Sequence, residues 1–440
     1  MAEGGRGSAV RWGRMAAAAT CSALPLLAGA TDGYFPTGYG MKSLGMGGTS
    51  LTRTDDAFGG ANNPAEMVFA GNRFDLGLQW FHPLRSAGRS DAAIPTLDGY
   101  VDSGDKNFYI PEGAYNWMMR PDLSLGVTVY GNGGMNTDYP QGTFSCPTPS
   151  GFVPANMLCG QGSLGVNLEQ LIVAPTAAYK IQPEHAIGIA PLLAYQRFSA
   201  QGVQMFSSLS SSPGNVSNQG DDSSVGAGLR LGYLGQLAKS FSVGASYSTK
   251  ISMGKFSHYQ GLFAGQGGFD IPANYGLGLS LLPNPYTTIA VDFARILYGG
   301  IASVGNPSTN QAPLGASNGP GFGWQDAKVW KFGVEFALTP TLKLRAGYNH
   351  STDPITPRDV TFNILAPGVI TSQYSVGATY DLGGGSEVTA AAMYAPGSSV
   401  TGSSLLSPLF QQQGGPANAG GTETINMSQM GLGVAYARHF

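Results

Sequence analysis

The sequence predicts an all-β protein, a transmembrane antiparallel β-barrel of about 14 strands whose lumen is plugged by an N-terminal hatch. Three observations lead to this fold class. Only 11% of the 440 residues are charged, against about 25% in soluble proteins. Glycine contributes 66 residues, about twice its usual share. From residue 73 onward, apolar residues alternate with small or polar ones, as in strands with one face in lipid and the other in a lumen.

The first 30 residues have the features of a secretory signal peptide. A basic start is followed by an uncharged stretch that ends in the small residues Ala28-Gly29-Ala30, and we expect cleavage before Thr31. This stretch is too short and too rich in alanine for a membrane-spanning helix. Beyond it no run of 18 apolar residues occurs, so we expect strands to cross the membrane.

Strand candidates recur along residues 73–440, which we assign to the barrel. Fourteen segments with period-2 alternation start near residues 73, 106, 122, 165, 185, 222, 240, 269, 285, 324, 340, 368, 386 and 424. Twelve or sixteen strands are the alternatives. Short connections such as 120–122 and 383–385 alternate with long loops such as 86–105, 131–164 and 397–423. Because outer-membrane barrels have short periplasmic turns and long outer loops, we expect a bacterial outer-membrane protein with both termini in the periplasm.

Residues 31–72 do not alternate like strands, and we predict that they form the hatch. The segment is rich in glycine but carries apolar residues at short intervals, from Tyr34 and Phe35 to Met67 and Phe69. Such a frequency of apolar side chains favours burial over disorder. A free periplasmic tail and a partner-binding segment are the alternatives.

Candidate reactive residues are few. Cys146 and Cys159 remain after the signal peptide, and in an oxidising compartment we expect them to form a disulfide, with two free thiols as the alternative. The five histidines are not spaced like the paired ligands of a metal site. We also find no Gly-x-Ser-x-Gly motif in a strand context that could combine with a histidine and an acid as in a serine hydrolase. We therefore predict no catalytic residue, no metal and no cofactor. The net charge of −3 gives no basic surface for nucleic acid.

Isolated charges on the lumen side of the strands have two interpretations. In the first, Arg230, Lys331 and Arg345 form a structural salt-bridge network with acids such as Asp292 and Glu335. In the second, these three cations are candidates for binding the carboxylate of a ligand.

Two sequence blocks resemble a known family. Gly45-Met46-Gly47-Gly48-Thr49 is followed by Asn63-Pro64-Ala65, and a second block spans residues 362–369. These blocks resemble those of the FadL/TodX family of outer-membrane transporters for hydrophobic compounds, and the resemblance extends from Gly38 to the end of the chain. It implies a 14-stranded barrel with a hatch that carries long-chain fatty acids or aromatic hydrocarbons inward. Of these two classes we expect long-chain fatty acids, because the lumen cations favour a ligand with a carboxylate.

The resemblance also implies where a ligand binds and leaves. The ligand first enters an apolar groove between the outer loops 200–221 and 255–270, and it then moves to a lumenal pocket beside the hatch. The candidate groove residues are Met205, Phe206, Leu209, Phe256, Tyr259, Leu262 and Phe263. The ligand leaves sideways where the third strand kinks. Glycine permits bulges that break a strand ladder, so we expect the kink in a glycine-rich part of that strand. The kink candidates are Gly131, Gly133 and Gly134. Asn63-Pro64-Ala65 is either a plain turn or, as the resemblance suggests, a latch that holds the hatch.

Three classes of function follow from these features. The first is the passive hydrophobe transporter. The second is a general porin-like or structural barrel, which predicts an open, charged lumen. The third is a barrel lipid hydrolase, which needs a nucleophile near a histidine. Expected partners are a hydrophobic small-molecule ligand, outer-membrane lipid and lipopolysaccharide, and the barrel-assembly machinery, to which the terminal Phe440 points. We expect a monomer.

Overall fold

The computed structural model describes residues 32–412 and 414–440, so the expected signal peptide lies outside the described residues. Fourteen antiparallel strands form a closed barrel in which each strand pairs with its neighbours in sequence and β1 pairs with β14. The 14-strand barrel predicted from the sequence is therefore confirmed. The barrel strands are β1 (Arg73–Ser90), β2 (Phe108–Arg120), β3 (Leu123–Tyr139), β4 (Leu164–Gln182), β5 (His185–Gln201), β6 (Asp222–Ala238), β7 (Phe241–Ser248), β8 (Asn274–Asn284), β9 (Thr287–Ile296), β10 (Ala327–Ala337), β11 (Leu342–Ser351), β12 (Ser372–Gly383), β13 (Ser386–Ser403) and β14 (Thr422–His439).

The remaining elements are short. Additional strands are Gly99–Asp102, Phe144–Thr148, Gly151–Ala155 and Ser252–Met253. The helices are α1 (Met41–Leu44), α2 (Met67–Ala70), α3 (Ala264–Gly267), α4 (Ala302–Gly305), α5 (Val360–Asn363) and α6 (Leu406–Gln412). The 3-10 helices are Phe58–Gly60, Pro64–Glu66, Pro95–Leu97, Gln204–Leu209, Pro213–Asn215, Ser257–Tyr259, Tyr298–Gly300 and Pro357–Asp359. None of the described helices has the length and apolar character needed to cross a membrane.

The period-2 alternation places apolar side chains on the outer face of the barrel. In β10, Trp330, Phe332 and Phe336 are 46%, 42% and 44% exposed, whereas Val329 on the lumen side is buried.

The two ends of the barrel differ in the length of their connections. β1 begins and β14 ends at the end that carries the short turns, where the Phe440 amide donates to the Asn72 carbonyl at 3.1 Å. In outer-membrane barrels this end faces the periplasm. The opposite end, with the long loops, is called the upper end below.

Three strands extend further than the alternation predicts. β1 reaches Ser90, β3 reaches Tyr139 and β13 reaches Ser403, so the loops expected at 86–105, 131–164 and 397–423 are shorter. The upper part of β3 is held by its ladder with β4, in which Tyr139 pairs with Leu164. Its glycine- and asparagine-rich sequence does not alternate, because it faces loops and the lumen on both sides, and it therefore resembles a loop.

Residues 32–72, called the N-terminal segment below, lie inside the ring of strands. The Lys42 ammonium is 2.7 Å from Glu387 of β13. The Gly47 amide donates to the Ser375 hydroxyl of β12 at 2.8 Å. These two strands are neighbours, and on the opposite side of the wall the Asn63 side-chain amide donates to the Tyr233 carbonyl of β6 at 2.9 Å. Most of the segment is buried. Its division from the barrel at residue 72 remains a prediction.

Lumen-facing glycines let the backbone of the N-terminal segment approach the wall. A Cβ on Gly347 of β11 would lie 2.0 Å from the Gly47 nitrogen. A Cβ on Gly244 of β7 would lie 1.8 Å from the Leu51 carbonyl oxygen. Any larger residue at these places therefore forces the segment away from the strands, which explains part of the high glycine content.

Candidate functional site

An aromatic cluster fills the space beneath the outer loops at the upper end of β5. The Phe198 ring centroid lies 4.6 Å from that of Phe263, 4.9 Å from that of Tyr259 and 5.4 Å from that of Phe256. All four rings are buried. Aromatic pairs at these separations are favourable, so the loop after β7 is held against β5. Sequence analysis found the three loop residues but missed Phe198, because its position in an alternating strand gives no sign of the loop above it.

A narrow apolar cavity adjoins this cluster. Its lining includes three predicted groove residues, Phe206, Leu262 and Phe263, and four residues of later loops, Leu314, Phe322, Phe362 and Leu365. The free volume is about 30 Å³, whereas an apolar cavity of about 150 Å³ takes up one benzene molecule. The groove is therefore closed in this conformation, and a ligand fits only if the loops separate.

Two of the predicted groove residues lie away from the cavity. Met205 packs against a separate small cluster that includes Cys146 and Phe410. Leu209 is 39% exposed on the loop surface. Phe256 and Tyr259 belong to the neighbouring aromatic cluster, so the structure brings Phe206, Leu262 and Phe263 together at the cavity. The binding roles of all seven remain predictions.

Aromatic rings connect this loop layer with the N-terminal segment. Phe263 is 4.9 Å from Phe269, and Phe269 is 6.3 Å from Tyr34. Tyr34 in turn lies 5.3 Å from Tyr298 and 5.9 Å from Trp324. Tyr298 and Trp324 lie near the two ends of the long loop between β9 and β10 and have no local sequence pattern, so sequence analysis had no signal that would bring them to this place.

The barrel wall is incomplete between the upper halves of β2 and β3. The two strands pair from Arg120 opposite Leu123 up to Gly113 opposite Val129. Above that level, residues 108–112 pair with β1 and residues 130–139 pair with β4, and the described residues form no ladder between the two strands. The unpaired stretch is called the wall gap below. Its position agrees with the side exit that the family resemblance implies.

The predicted kink residues lie at the wall gap. The β3–β4 register shifts between Gly131 and Gly133, and Gly133 has a φ of 152°, which favours glycine. A Cβ on Gly133 would lie 1.9 Å from the Tyr34 carbonyl oxygen, so the N-terminal segment packs directly behind the bulge. Gly134 pairs regularly with Glu169. The use of these glycines in transport remains a prediction.

On the membrane side, an open apolar groove lies below and beside the wall gap. Its volume is about 690 Å³. The apolar lining residues include Phe74, Leu76, Pro111, Tyr115, Val127, Val129 and Leu171. Proline lacks an amide hydrogen and suits a strand edge without a partner, so Pro111 fits the end of the β2–β3 ladder. A hydrophobe that reaches the gap from the lumen meets an apolar surface outside it.

Asn63 joins two parts of the N-terminal segment to the wall. Its side-chain amide donates to the carbonyls of Leu51 and Tyr233 at 2.9 Å each, and its Oδ1 accepts from the Ala65 amide at 3.2 Å. A Cβ on Gly188 of β5 would lie 2.3 Å from the Pro64 carbonyl carbon. Asn63 therefore caps the turn and contacts β6 at the same time. This geometry suits both the turn and the latch interpretations of Asn63-Pro64-Ala65.

Two of the predicted carboxylate-binding cations contact carbonyls of the N-terminal segment. Arg230 Nη1 donates to Gly60 O at 2.9 Å and to Ala61 O, and its Nε donates to the Ser248 hydroxyl at 2.6 Å. Lys331 donates to the Thr37 carbonyl at 2.6 Å. Both line a lumen cavity of about 80 Å³. A ligand carboxylate must therefore compete with the segment for these donors.

The third candidate cation belongs to an ion-pair network nearer the periplasm. Arg345 is 2.7 Å from Glu335 and donates to the Thr379 hydroxyl at 2.6 Å. Arg53 of the N-terminal segment is 3.4 Å from the same Glu335 and 2.7 Å from Asp55. Although burial disfavours its ionisation, nearby cations, above all Arg53, hold the pKa of Asp55 well below its usual value. The network ties the segment to β10 and β11.

Cys146 and Cys159 are joined by a disulfide with a Cα–Cα separation of 5.6 Å. Cys146 lies in the hairpin formed by Phe144–Thr148 and Gly151–Ala155, within the long loop between β3 and β4. The bond closes a loop next to the wall gap. In the chain-entropy model, a loop of this length gives about 3 kcal/mol.

Burial raises the pKa of Asp32 from 3.8 to about 6, against the attraction of Lys331 and the hydrogen bond from Asn349. The raised pKa means that the protonated acid favours the seated N-terminal segment. Its contribution, about 3 kcal/mol for the full difference, is present below pH 4 and is lost as the pH rises through 6. We therefore expect faster hydrogen exchange of residues 33–39 at pH 7 than at pH 5, after correction for intrinsic rates. Asp32→Asn should remove this difference; an unchanged difference in that variant would assign it to another group.

Comparisons with known proteins agree with the barrel fold. Residues 37–404 match the family model described as Outer membrane protein transport protein (OMPP1/FadL/TodX). No curated protein sequence matches the chain significantly. The fold is similar to that of the Pseudomonas putida toluene transporter TodX, with 19% identity, a TM-score of 0.68 and coverage of 92% of this chain and 99% of that one.

Two further solved structures are similar. The Ralstonia pickettii toluene transporter TbuX has 17% identity and a TM-score of 0.62, with 92% of this chain and 99% of that chain covered. A Pseudomonas aeruginosa FadL homologue has 12% identity and a TM-score of 0.66, with 93% and 100% covered. At these identities the structures support the fold, whereas the family model covers most of the sequence itself. The chain therefore belongs to the OMPP1/FadL/TodX family, and it is an outer-membrane β-barrel protein.

Proposed function

We propose that the protein carries hydrophobic compounds, long-chain fatty acids or aromatic hydrocarbons, passively across the outer membrane. One observation above all supports this function. The aromatic rings beneath the outer loops continue to Tyr34, and the Tyr34 backbone packs against Gly133 at the wall gap. An apolar route therefore leads from the loops to an interruption of the wall. The related TodX and TbuX are described as toluene transporters, which agrees with such a route.

Capture begins at the closed groove lined by Phe206, Leu262 and Phe263. A hydrophobe that separates the loops buries its own surface there and gains about 25 cal/mol for each Å² removed from water. The residues that line the groove come from several outer loops, so these loops can move apart without any change in the barrel strands. Loops that connect strands move more easily than the strands do.

The N-terminal segment is the hatch of this proposal. Tyr34 and Tyr39 occupy the lumen side of the wall gap, where the Tyr39 hydroxyl donates to Asn132 Oδ1 at 3.1 Å. A small displacement of residues 32–39 connects the aromatic cluster with the gap. The ligand then enters the membrane core, where its free energy is lower than in water. Net flux follows the concentration gradient, and no energy source is needed.

The contacts of the lumen cations bear on the ligand class. Arg230 and Lys331 already donate to carbonyls of the N-terminal segment, so only part of their donor capacity remains for a fatty-acid carboxylate while the segment is seated. An aromatic hydrocarbon needs no cation, and rings such as Phe269 and Trp324 offer it favourable contacts. We therefore place aromatic hydrocarbons beside long-chain fatty acids as substrates, and both must be tested.

The experiment measures uptake of radiolabelled oleate and toluene by cells that express the barrel. We expect Leu262→Asp to reduce uptake by about tenfold or more, because it places a charge in the apolar groove. Leu209→Asp is the matched control, since Leu209 belongs to the preceding outer loop but lies outside the cavity, and we expect uptake close to that of the unchanged protein. Both variants must show the heat-shifted gel mobility of a folded barrel.

The two solutes distinguish the ligand classes. Oleate uptake alone assigns fatty acids, and toluene uptake alone assigns hydrocarbons. If neither solute enters faster than in barrel-free cells, the transporter proposal is wrong for these classes. Equal loss of uptake in both leucine variants would contradict the groove proposed here while leaving transport itself intact.

A further inference from the structure

Three basic side chains face outward from the upper ends of β9, β10 and β11. Arg295 of β9 lies directly opposite Lys328 of β10, and Trp330 of β10 lies directly opposite His350 of β11. Directly opposite residues share a face of the sheet, and the exposed Trp330 marks this face as the outer one. Lys328 and His350 are exposed, and the Arg295 side chain is 38% exposed. These three residues are called the basic patch below.

The basic patch lies at the upper edge of the apolar belt. In β10 the exposed apolar side chains run from Trp330 to Leu338, which is about 27 Å along the strand and about 20 Å along the axis of a barrel tilted by about 40°. Apolar belts of outer-membrane barrels are about 25 Å tall and end in aromatic residues. Lys328 lies two residues above Trp330 on the same outward face of β10, so it reaches the level of the lipid headgroups.

Aromatic residues line the belt directly below the basic patch. The Phe293 and Trp330 ring centroids are 4.9 Å apart, and Tyr348 is 5.2 Å from Tyr374. The His350 ring stacks with Tyr348 at an interplanar angle of 14°. The basic patch is therefore fixed on a rigid girdle of four strands, and its cations do not belong to a mobile loop.

The Lys328 charge of the basic patch is not balanced among the described residues, whereas the Arg295 charge is paired. Arg295 Nη2 is 2.9 Å from Asp326 Oδ2. For Lys328, no carboxylate lies within 4.0 Å among residues 32–412 and 414–440. Like charges placed directly opposite each other destabilise a sheet, so the fold itself gains nothing from Arg295 beside Lys328. An anion from outside the protein would offset this repulsion.

We propose that the basic patch binds a phosphate group of lipid A, the phosphorylated lipid of lipopolysaccharide in the outer leaflet. The long loops mark this end as extracellular, which is the side of that leaflet. The Arg295 guanidinium has the planar geometry that suits phosphate oxygens, and Lys328 supplies a point charge opposite it. Trp330 and Tyr348 lie where the sugar and acyl chains of the bound lipid begin. The site is independent of the hydrophobe route at β2 and β3.

The test measures lipid binding to the purified full-length protein in detergent with EDTA, by native mass spectrometry. The probes are lipid A, dephosphorylated lipid A and phosphatidylglycerol. We expect the double variant Arg295→Gln/Lys328→Gln to bind lipid A about 30-fold more weakly than the unchanged protein, since each of the two basic residues near anionic lipid contributes about 1 kcal/mol. Lys250→Gln is the matched control, because Lys250 is also an exposed cation at the upper end but follows β7, outside the basic patch.

The comparison of probes decides between a site and general attraction. If the double variant and the unchanged protein bind dephosphorylated lipid A weakly and to the same extent, the phosphate contact is supported. The proposal is overturned if the double variant binds lipid A as tightly as the unchanged protein, or if phosphatidylglycerol displaces lipid A at equal concentration. Heat-shifted gel mobility confirms that the variants are folded. Hydrophobe uptake by the double variant is expected to remain normal, so a failure here does not depend on the proposed function.

Discussion

Gly347→Val is expected to unseat the N-terminal segment and to open the barrel to ions. A Cβ at this position would lie 2.0 Å from the Gly47 nitrogen and 2.1 Å from the Met46 carbonyl carbon. Both neighbours are backbone atoms, so the valine side chain fits only if the segment moves away from β11. Overpacking of this kind costs about 1–3 kcal/mol, which shifts the equilibrium between seated and unseated segment about 5- to 150-fold. The measurement is the ionic conductance of the purified protein in planar bilayers, which should rise by a similar order.

Gly397→Val provides the control for this experiment. Gly397 lies in β13, and no heavy atom is within 4 Å of the position that a Cβ would take there. We expect its conductance to equal that of the unchanged protein. If Gly347→Val also keeps the low conductance, and residues 40–50 stay protected from protease, then the close approach of Gly47 to β11 does not hold the segment in place.

The same reasoning explains where many of the glycines lie. Gly188, Gly232 and Gly244 lie on the lumen faces of β5, β6 and β7, and a Cβ on each would come within 2.3 Å of the N-terminal segment. The low charge and high glycine content of the sequence therefore have two separate causes. The outer face needs apolar residues because it contacts lipid, whereas the inner face needs small residues because a folded segment occupies the lumen.

The sequence predicted the features that depend on local patterns. The alternation in β10 and β12, and turns such as Gly383-Gly384-Gly385, reflect the environment of each strand, and 14 strands follow from them. The upper half of β3 was missed because Gly131 to Tyr139 face neither lipid nor a uniform lumen. The length of β3 there depends on its ladder with β4, which no single segment of sequence reveals.

The candidate site was predicted only in part, for a similar reason. Phe206, Leu262 and Phe263 were found because the family resemblance implies a groove between two outer loops and each is an apolar residue of those loops. Tyr298 and Trp324 were missed because their common neighbour, Tyr34, is more than 260 residues away in the chain from the first of them. The lumen position of Arg230 was predicted, but its carbonyl partners at Gly60 and Ala61 lie 170 and 169 residues away. Contacts between distant segments thus decide whether a lumen cation is free for a ligand.

A cross-link between β2 and β3 is expected to abolish hydrophobe uptake. A Cβ on Gly131 of β3 would lie 3.2 Å from Ile110 Cγ2 of β2, so the two Cβ atoms come close to the 3.5–4.5 Å that a disulfide needs. In the double variant Ile110→Cys/Gly131→Cys, an oxidised bond stops the strands from separating at the lower edge of the wall gap. We expect uptake of toluene or oleate to fall to the level of barrel-free cells and to return when the bond is reduced.

The controls separate the cross-link from its components. Each single cysteine variant should transport normally, and the unchanged protein treated with the same reductant accounts for the native Cys146–Cys159 bond. Full uptake by the oxidised double variant, with the bond verified by mass spectrometry, would exclude exit through this part of the wall. Because Ile110 is on the lumen side of β2 while Gly131 is on the outer side of β3, their contact means that β3 bends inward behind β2. The engineered cross-link therefore tests whether the ligand leaves the barrel at this bend or through the lumen below the N-terminal segment.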